Sequence, residues 1–267
     1  MKNYPTSTII VSTYNWPEAL AICLKSIANQ VVLPNEVIVA DDGSKQDTTD
    51  LINRVRRTFP CPLIHVWHED TGFRLAAIRN KAIAKASGDY IIQIDGDIVL
   101  ERHFVKDHLS FCRKDCFVSG SRVRVEKELG AKMLTEKKID VSLFSGGISN
   151  HFNGLRIKFL RNHYRFRYRM DDPYYVKGCN MAFWREDLYA VNGYNEDMTG
   201  WGREDSEVAV RLINLGKKRQ FIKFGGVEYH IEHSFSSRDK EPVNIAILEE
   251  AIAQKIIYCK NGLSKYL

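Results

Sequence analysis

The stretch Tyr90-Ile91-Ile92-Gln93-Ile94-Asp95-Gly96-Asp97-Ile98-Val99-Leu100 decides how this chain is read. Its first five residues form a short, mostly apolar run of strand length, and the run stops in a tight acidic turn. Two carboxylates one residue apart can face one pocket, and hard divalent cations prefer oxygen ligands that they share with substrate phosphates. Asp-Gly is also ordinary turn chemistry. Position favours the functional reading, because open α/β sheets bind ligands beyond the carboxyl ends of their strands.

Working outward, Thr8 to Ser12, Glu36 to Ala40 and Leu63 to Trp67 read as three further strands. A helix follows each of them. The first is expected to start from an Asn15 cap with Glu18 at its third position and to run to about Asn29. The second opens at Ser44 with Asp47 and reaches Arg57, and the third spans Leu75 to Ala86. Strands alternating with helices predict an α/β protein with a doubly wound, mostly parallel sheet. Asp41-Asp42-Gly43-Ser44 repeats the acidic ending one strand earlier. A carboxylate there can accept hydrogen bonds from a ribose or a base N–H. Capping of the next helix by Ser44 is equally compatible with it.

The pattern changes after about residue 120. Residues 151–170 carry Arg156, Lys158, Arg161, Arg165, Arg167 and Arg169 among Phe152, Phe159, Tyr164, Phe166 and Tyr168, with no acidic neighbour before Asp171. Such a segment suits an anionic membrane surface, with Leu155, Phe159 and Phe166 on an amphipathic face. A solvated face packed on the rest of the fold is the plainer alternative. A strand is expected from Asn180 to Trp184, a helix from Glu204 to Leu215, short strands near 220–232, and a last helix over 243–259 packed back on the sheet.

Gly200-Trp201-Gly202-Arg203-Glu204-Asp205 is the least generic segment. Trp201 between two glycines offers a flat platform for a sugar ring. A carboxylate at a helix N-terminus is stabilised as the anion, which suits a general base. Acidic capping alone explains many such sequences. His230 and His233 lie three residues apart near a strand end and can complete a cation site begun by the acidic turn.

Composition narrows the classes. The chain has 267 residues, 44% hydrophobic and 27% charged, which fits one large domain and argues against disorder. A net charge of +6 suits anionic substrates or a membrane surface and is too small to argue for nucleic acid. Six cysteines without a CxxC pair are expected to be reduced. No run approaches the roughly 18–20 apolar residues of a membrane span, and the first residues lack the apolar run of a signal peptide. A cytoplasmic location is expected, with peripheral attachment to the inner membrane face compatible with it.

Together these motifs resemble the family 2 inverting glycosyltransferases of GT-A fold, with a C-terminal half similar to β-1,4-galactosyltransferases and chondroitin polymerases. The likeness rests on Ser12-Thr13-Tyr14-Asn15, Asp41 to Ser44, Gly72-Phe73-Arg74 with Ala77 to Asn80, Asp95-Gly96-Asp97, Gly178-Cys179-Asn180, the Gly200 to Asp205 segment and His233-Ser234. Seven matches in order are far more specific than any one.

The resemblance implies a UDP-sugar donor, a saccharide or lipid-linked saccharide acceptor, and Mn2+ or Mg2+. It implies a nucleotide-sugar-binding half over 1–120 and an acceptor-binding, catalytic half over 121–267 of the same domain. By the same likeness Asp205 is the catalytic base and Glu204 holds the acceptor. Thr13, Tyr14, Asn15, Asp41, Asp42, Arg74, Arg79, Asp95, Gly96 and Gly178 meet the nucleotide sugar. Trp201, Gly202 and Asn180 meet the acceptor, and Asp97, His233 and His230 hold the metal. His230 stands where relatives often carry methionine. A sugar-nucleotide pyrophosphorylase would show a Gly-rich basic loop after the first strand, where this chain has Thr13-Tyr14-Asn15-Trp16-Pro17. A non-catalytic carbohydrate- or membrane-binding relic would have lost some of the acidic residues.

Overall fold

A computed structural model describes residues 4–169, 172, 174–233 and 237–267. Ser234, part of the His233-Ser234 motif, and Asp171 lie outside them. In chain order the N-terminal half runs Ser7–Thr13 (β1), Pro17–Ala28 (α1), Glu36–Asp41 (β2), Gln46–Arg56 (α2), Leu63–Trp67 (β3), Leu75–Lys85 (α3), Tyr90–Asp95 (β4), Ile98–Leu100 (β5), Phe104–Phe111 (α4) and Cys116–Ser119 (β6). There follow Val123–Val125 (β7), Lys127–Glu136 (α5), Ile148–Ser149 (β8), Lys158–Tyr164 (α6), Met181–Trp184 (β9) and Arg185–Ala190 (α7). Glu204–Asn214 (α8), Lys218–Phe221 (β10), Glu228–Ile231 (β11) and Glu241–Ala253 (α9) close the order.

Seven strands form the main sheet in the order β10-β6-β9-β4-β1-β2-β3. β1, β2, β3 and β4 run parallel, while β9 is antiparallel to both β4 and β6. A second sheet has the order β5-β11-β7-β8. The doubly wound expectation holds, and the two cores show why. Ile9 and Val11 of β1 pack against Leu20, Cys23, Leu24 and Ile27 of α1 on one face. Ile10, between them, packs with Ile78, Ala82 and Ile83 of α3 and Val208 and Leu212 of α8 on the other. Strands covered on both faces need apolar side chains pointing both ways, hence the unbroken runs in the sequence.

Several local expectations are corrected. Asn15 does not cap α1, whose cap position is Trp16 without a side-chain bond. Asn15 instead has a positive φ of 46° and clasps the next turn: its N–H donates to Ser44 Oγ at 2.8 Å, and its Oδ1 accepts from Lys45 N–H at 2.9 Å. Ser44 is thereby occupied and leaves the cap position of α2 to Lys45. The last helix stops at Ala253 and packs on α8 rather than on the sheet, with Asn214 Nδ2 donating to the Ala251 carbonyl at 3.2 Å.

The basic segment is also less free than its sequence suggests. Arg161 is 4% exposed and donates from Nη1 to Asp107 Oδ1 at 2.6 Å, while Arg156 forms two 2.7 Å bonds to the same carboxylate. Asp107 lies on α4, 54 residues before Arg161, so no local pattern announces the pair. All six cysteines are free. Among the described residues no helix is long and apolar enough to cross a membrane.

Candidate active site

β1, β2 and β4 end on one rim of the sheet, and each end carries a polar motif. At β4 the turn Asp95-Gly96-Asp97 folds against β1, with Gly96 N–H donating to the Ser12 carbonyl at 2.7 Å. A Cβ on Gly96 would stand 3.0 Å from that carbonyl oxygen and 3.1 Å from Thr13 Oγ1. A side chain there would have to push β1 back by a few tenths of an ångström, so glycine suits the close approach. Asp95 and Asp97 are thus aimed in different directions from one turn.

Asp97 faces the second sheet. Its Oδ2 lies 3.1 Å from His233 Nε2 and 3.6 Å from His230 Nε2, and its Oδ1 is buried without a partner. One ligand atom from each of the three residues falls within 4.8 Å of the others. Burial alone would raise the Asp97 pKa, but the hydrogen bond from His233 and the two imidazoles hold it below the usual range. Burial lowers His230 to about 4, leaving a neutral imidazole with a lone pair to offer. An ionised carboxylate with an orphaned oxygen beside a neutral imidazole fits a divalent cation. Trp16 stands edge-on to His233 with ring centroids 6.0 Å apart, and so limits where that ring can lie.

Asp95 faces the other way, toward the start of α8. Arg79, 1% exposed, bridges the two: Nη2 reaches Asp95 Oδ1 at 3.2 Å and Nη1 reaches Glu204 Oε1 at 3.1 Å, while Nε donates to Ser12 Oγ at 3.2 Å. Burial, opposed by Arg79 and reinforced by Asp97, raises the Asp95 pKa. Burial and the neighbouring Asp205 raise Glu204 to about 7 against the pull of Arg79. Next along the helix, Asp205 accepts from Gly178 N–H at 2.8 Å through Oδ2 and from Ser206 N–H at 2.7 Å through Oδ1. A Cβ on Gly178 would sit 3.2 Å from that Oδ2 and would press the carboxylate back slightly, so glycine suits the approach. Two N–H donors thus hold the Asp205 carboxylate at the N-terminus of α8.

Other expected residues take different places. Asp41, expected to meet the nucleotide, is fully buried and bonded to Ser44 N–H at 2.8 Å and to His65 at 2.9 Å, which braces the turn after β2. Asp42 is 5% exposed, with Oδ1 2.6 Å from His68 Nε2 and Oδ2 accepting from Arg74 N–H at 2.9 Å. Thr13 is buried beside the acidic turn, whereas Tyr14 is half exposed and donates to Asp70 Oδ2 at 2.8 Å.

The Asn180 side chain, expected at the acceptor, is engaged inside the protein. It is fully buried, donating to the carbonyls of Ser121 and Gly226 at 3.0 Å and lying 3.0 Å from His108 Nε2. Trp201 is partly exposed, with the Arg238 guanidinium 4.7 Å from its ring centroid. The Gly202 carbonyl accepts from Asn244 Nδ2 at 2.8 Å, which fixes the loop to α9. His65 and His68, the partners of both β2 aspartates, were missed. His65 sits in the middle of β3 and His68 just past its end, and their aspartate partners lie 24 and 26 residues earlier, so no local pattern pairs them.

This architecture is the GT-A fold. Residues 8–191 match glycosyl transferase family 2, and residues 157–234 match the N-terminal domain of galactosyltransferase. The chain belongs to glycosyl transferase family 2. It is 26% identical over 239 residues to a chondroitin synthase of Pasteurella multocida, covering 84% of this chain and 24% of that protein. The chain spans about a quarter to a third of the length of the chondroitin synthases it matches. Among solved structures it resembles S. aureus TarS 1-349 in complex with UDP-GlcNAc, with a TM-score of 0.62, 15% identity, and 98% and 69% of the two chains covered. It also resembles the mannosyltransferase PcManGT from Pyrobaculum calidifontis in complex with GDP-Man and Mn2+, with a TM-score of 0.62, 21% identity, and 97% and 66% covered.

Proposed function

We propose that the protein is an inverting, metal-dependent glycosyltransferase that moves a hexose or N-acetylhexosamine from a UDP-sugar to a saccharide or lipid-linked saccharide, in surface polysaccharide or lipopolysaccharide synthesis. The observation that carries this reading is the joining of two clusters by Arg79, with Asp95 and Glu204 on its two ends. Asp97, His230 and His233 stand beyond Asp95, and Asp205 stands beside Glu204. Residues 1–120 then present the donor and 121–267 the acceptor.

Asp97, His230 and His233 would hold the cation, which supplies charge compensation for a diphosphate leaving group when bound. Two imidazoles beside one carboxylate suit Mn2+ better than Mg2+, which favours oxygen ligands. Asp205 takes the proton from the acceptor hydroxyl as that oxygen attacks the anomeric carbon from the face opposite the leaving group. One displacement inverts the centre, and no carboxylate nucleophile is required. Glu204, whose proton is held near neutrality, orients the acceptor by hydrogen bond, and Trp201 stacks on a sugar ring. Arg79 acts through both acids: it fixes their geometry and offsets their charge.

An anionic membrane surface is a proposed partner of the exposed Lys158, Phe159 and Arg167, with Phe159 77% exposed and the nearby Phe152 75%. The deciding test of the main reading is a screen of UDP- and GDP-sugars with Mn2+ and with Mg2+, followed by NMR of the product anomer. Transfer from a UDP-sugar with inversion is expected. Exclusive use of GDP-sugars, or a retained anomeric configuration, would remove the assignment.

A further inference from the structure

The second sheet turns a row of polar side chains toward the cation cluster, and one of them has no part in the reading above. Val123 and Val125 of β7 are buried with Tyr229 and Ile231 of β11 in a single core. The ladder pairs Tyr229 with Val123 and His230 with Arg124. Alternation along the two strands therefore turns Arg122, Arg124 and His230 to the opposite face. His230 belongs to the Asp97 cluster, so Arg122 stands on that cluster's side of the sheet.

The backbone at this point is fixed more firmly than the side chain. The Ser121 carbonyl accepts from Asn180 Nδ2 at 3.0 Å, and the Arg122 carbonyl accepts from Asn153 Nδ2 at 2.7 Å. The half-buried Arg122 guanidinium has one hydrogen bond among the described residues, a long contact from Nη1 to Cys179 Sγ at 3.7 Å. Sulfur is a weak acceptor. Glu228 and Asp95 attract the charge from further off, but no carboxylate among the described residues is in ion-pair contact with it. Arg79, Arg156 and Arg161 differ, each reaching a carboxylate at 3.2 Å or less. Behind burial, the largest influence on each, the Arg122 charge acts on Asp95 together with Arg79, and on His230. Cys179 follows Gly178, so the guanidinium reaches from the second sheet to the turn that tethers Asp205. It is a cation carried to a fixed place with its fork of donors largely unspent.

We propose that Arg122 is a further donor-binding residue, whose guanidinium takes phosphate oxygens of a nucleoside diphosphate beside the cation cluster. The inference rests on the reading of the donor as a nucleotide sugar. A planar fork of N–H groups matches phosphate geometry, and exchanging a thiol for an oxyanion replaces a weak acceptor with a strong one. When the bond from the anomeric carbon to the phosphate oxygen breaks, its electron pair stays on that oxygen. A positive group already fixed nearby stabilises that charge without reorganising.

Calorimetric titration of UDP into the full chain with Mn2+, paired with ligand-free thermal melts, tests this. Arg122→Met should weaken UDP binding roughly tenfold or more, the size of one charge-assisted hydrogen bond, with a melting temperature close to the parent's. Arg122→Lys, which keeps the charge and gives up the fork, should bind UDP with an affinity between the two. A parent that binds no UDP would remove the donor reading and this inference with it. A parent that binds UDP, with Arg122→Met binding it equally, would remove the inference alone. So would a melting temperature that falls along with UDP affinity in both variants, the mark of a structural role.

Discussion

The Gly178 N–H donates to Asp205 Oδ2 at 2.8 Å, tying the turn before β9 to the first turn of α8. Together with the Ser206 N–H, this bond holds the Asp205 carboxylate from two sides at the helix start. Asp205→Asn keeps the shape and removes proton acceptance. Turnover should fall by roughly 10²- to 10⁴-fold with UDP binding retained. Single-turnover kinetics with nucleotide titration checks it, and near-parental turnover would take the base role from Asp205.

The second prediction concerns Asp97 and His233. Alanine at either position removes one of three converging ligand groups. Each variant should lose metal-dependent UDP affinity while its metal-free melting temperature stays close to the parent's. Full activity of the parent in EDTA would contradict the metal assignment.

A third follows from Glu204, whose pKa rises from 4.5 to about 7 on folding. The folded state binds this proton more tightly than the unfolded chain does. The group's stabilising contribution is therefore complete below pH 4.5 and is lost as pH rises through about 7. Glu204→Gln cannot titrate, so its stability should decline less than the parent's across that window. Thermal melts of both proteins at matched pH values check the slope, and parallel slopes would count against a buried, raised Glu204.

Arg161 gives the fourth. Its removal leaves Asp107, only 1% exposed, with Arg156 as its remaining cationic partner. Breaking a buried pair from one side costs about 3–5 kcal/mol, and Arg156 places Arg161→Ala toward the lower end. Arg167→Gln, on an exposed residue, should be near neutral. Urea denaturation of the two variants separates them.

Membrane docking is tested by the same distinction. Replacing Lys158 and Arg167 by glutamine and Phe159 by serine should reduce co-sedimentation with anionic vesicles, and salt should reduce the parent's binding. Arg161 is excluded from such a set, because its loss disturbs the fold. Equal binding by the triple variant would discard the membrane partner.

What could be read beforehand follows the range of the interactions. β1 to β4 and the helices between them are written in runs of a few neighbouring residues, and their bounds agreed within one or two positions. The acidic turn was legible because its chemistry and its place at a strand end are both local. The fates of Asn15, Asp41 and Asn180 were not. Each side chain is consumed by a partner 24 to 72 residues away in sequence, through Lys45, His65 and His108 among others. A polar residue in a loop reads the same whether it awaits a ligand or staples two turns. The pairing of Arg156 and Arg161 with Asp107 was hidden in the same way, since a basic run looks solvated until its acid arrives from another helix.

The reversed direction of β9 has a consequence for how such a protein diversifies. By running against β4 and β6, this strand brings the turn at 177–180 to the rim where the acidic loops already lie. Gln93 of β4 donates to the Gly178 carbonyl at 2.8 Å there, so the late part of the chain is moored by a residue of the early part. The long excursion between β7 and β9 starts and ends at fixed moorings. Apart from Arg156 and Arg161, which anchor it to Asp107, it can be lengthened, shortened or rewritten without shifting the register of β1, β2 and β4. On the proposed division of the chain, recognition of what receives the sugar would thereby be uncoupled from the platform that presents it, and one could drift while the other stands still.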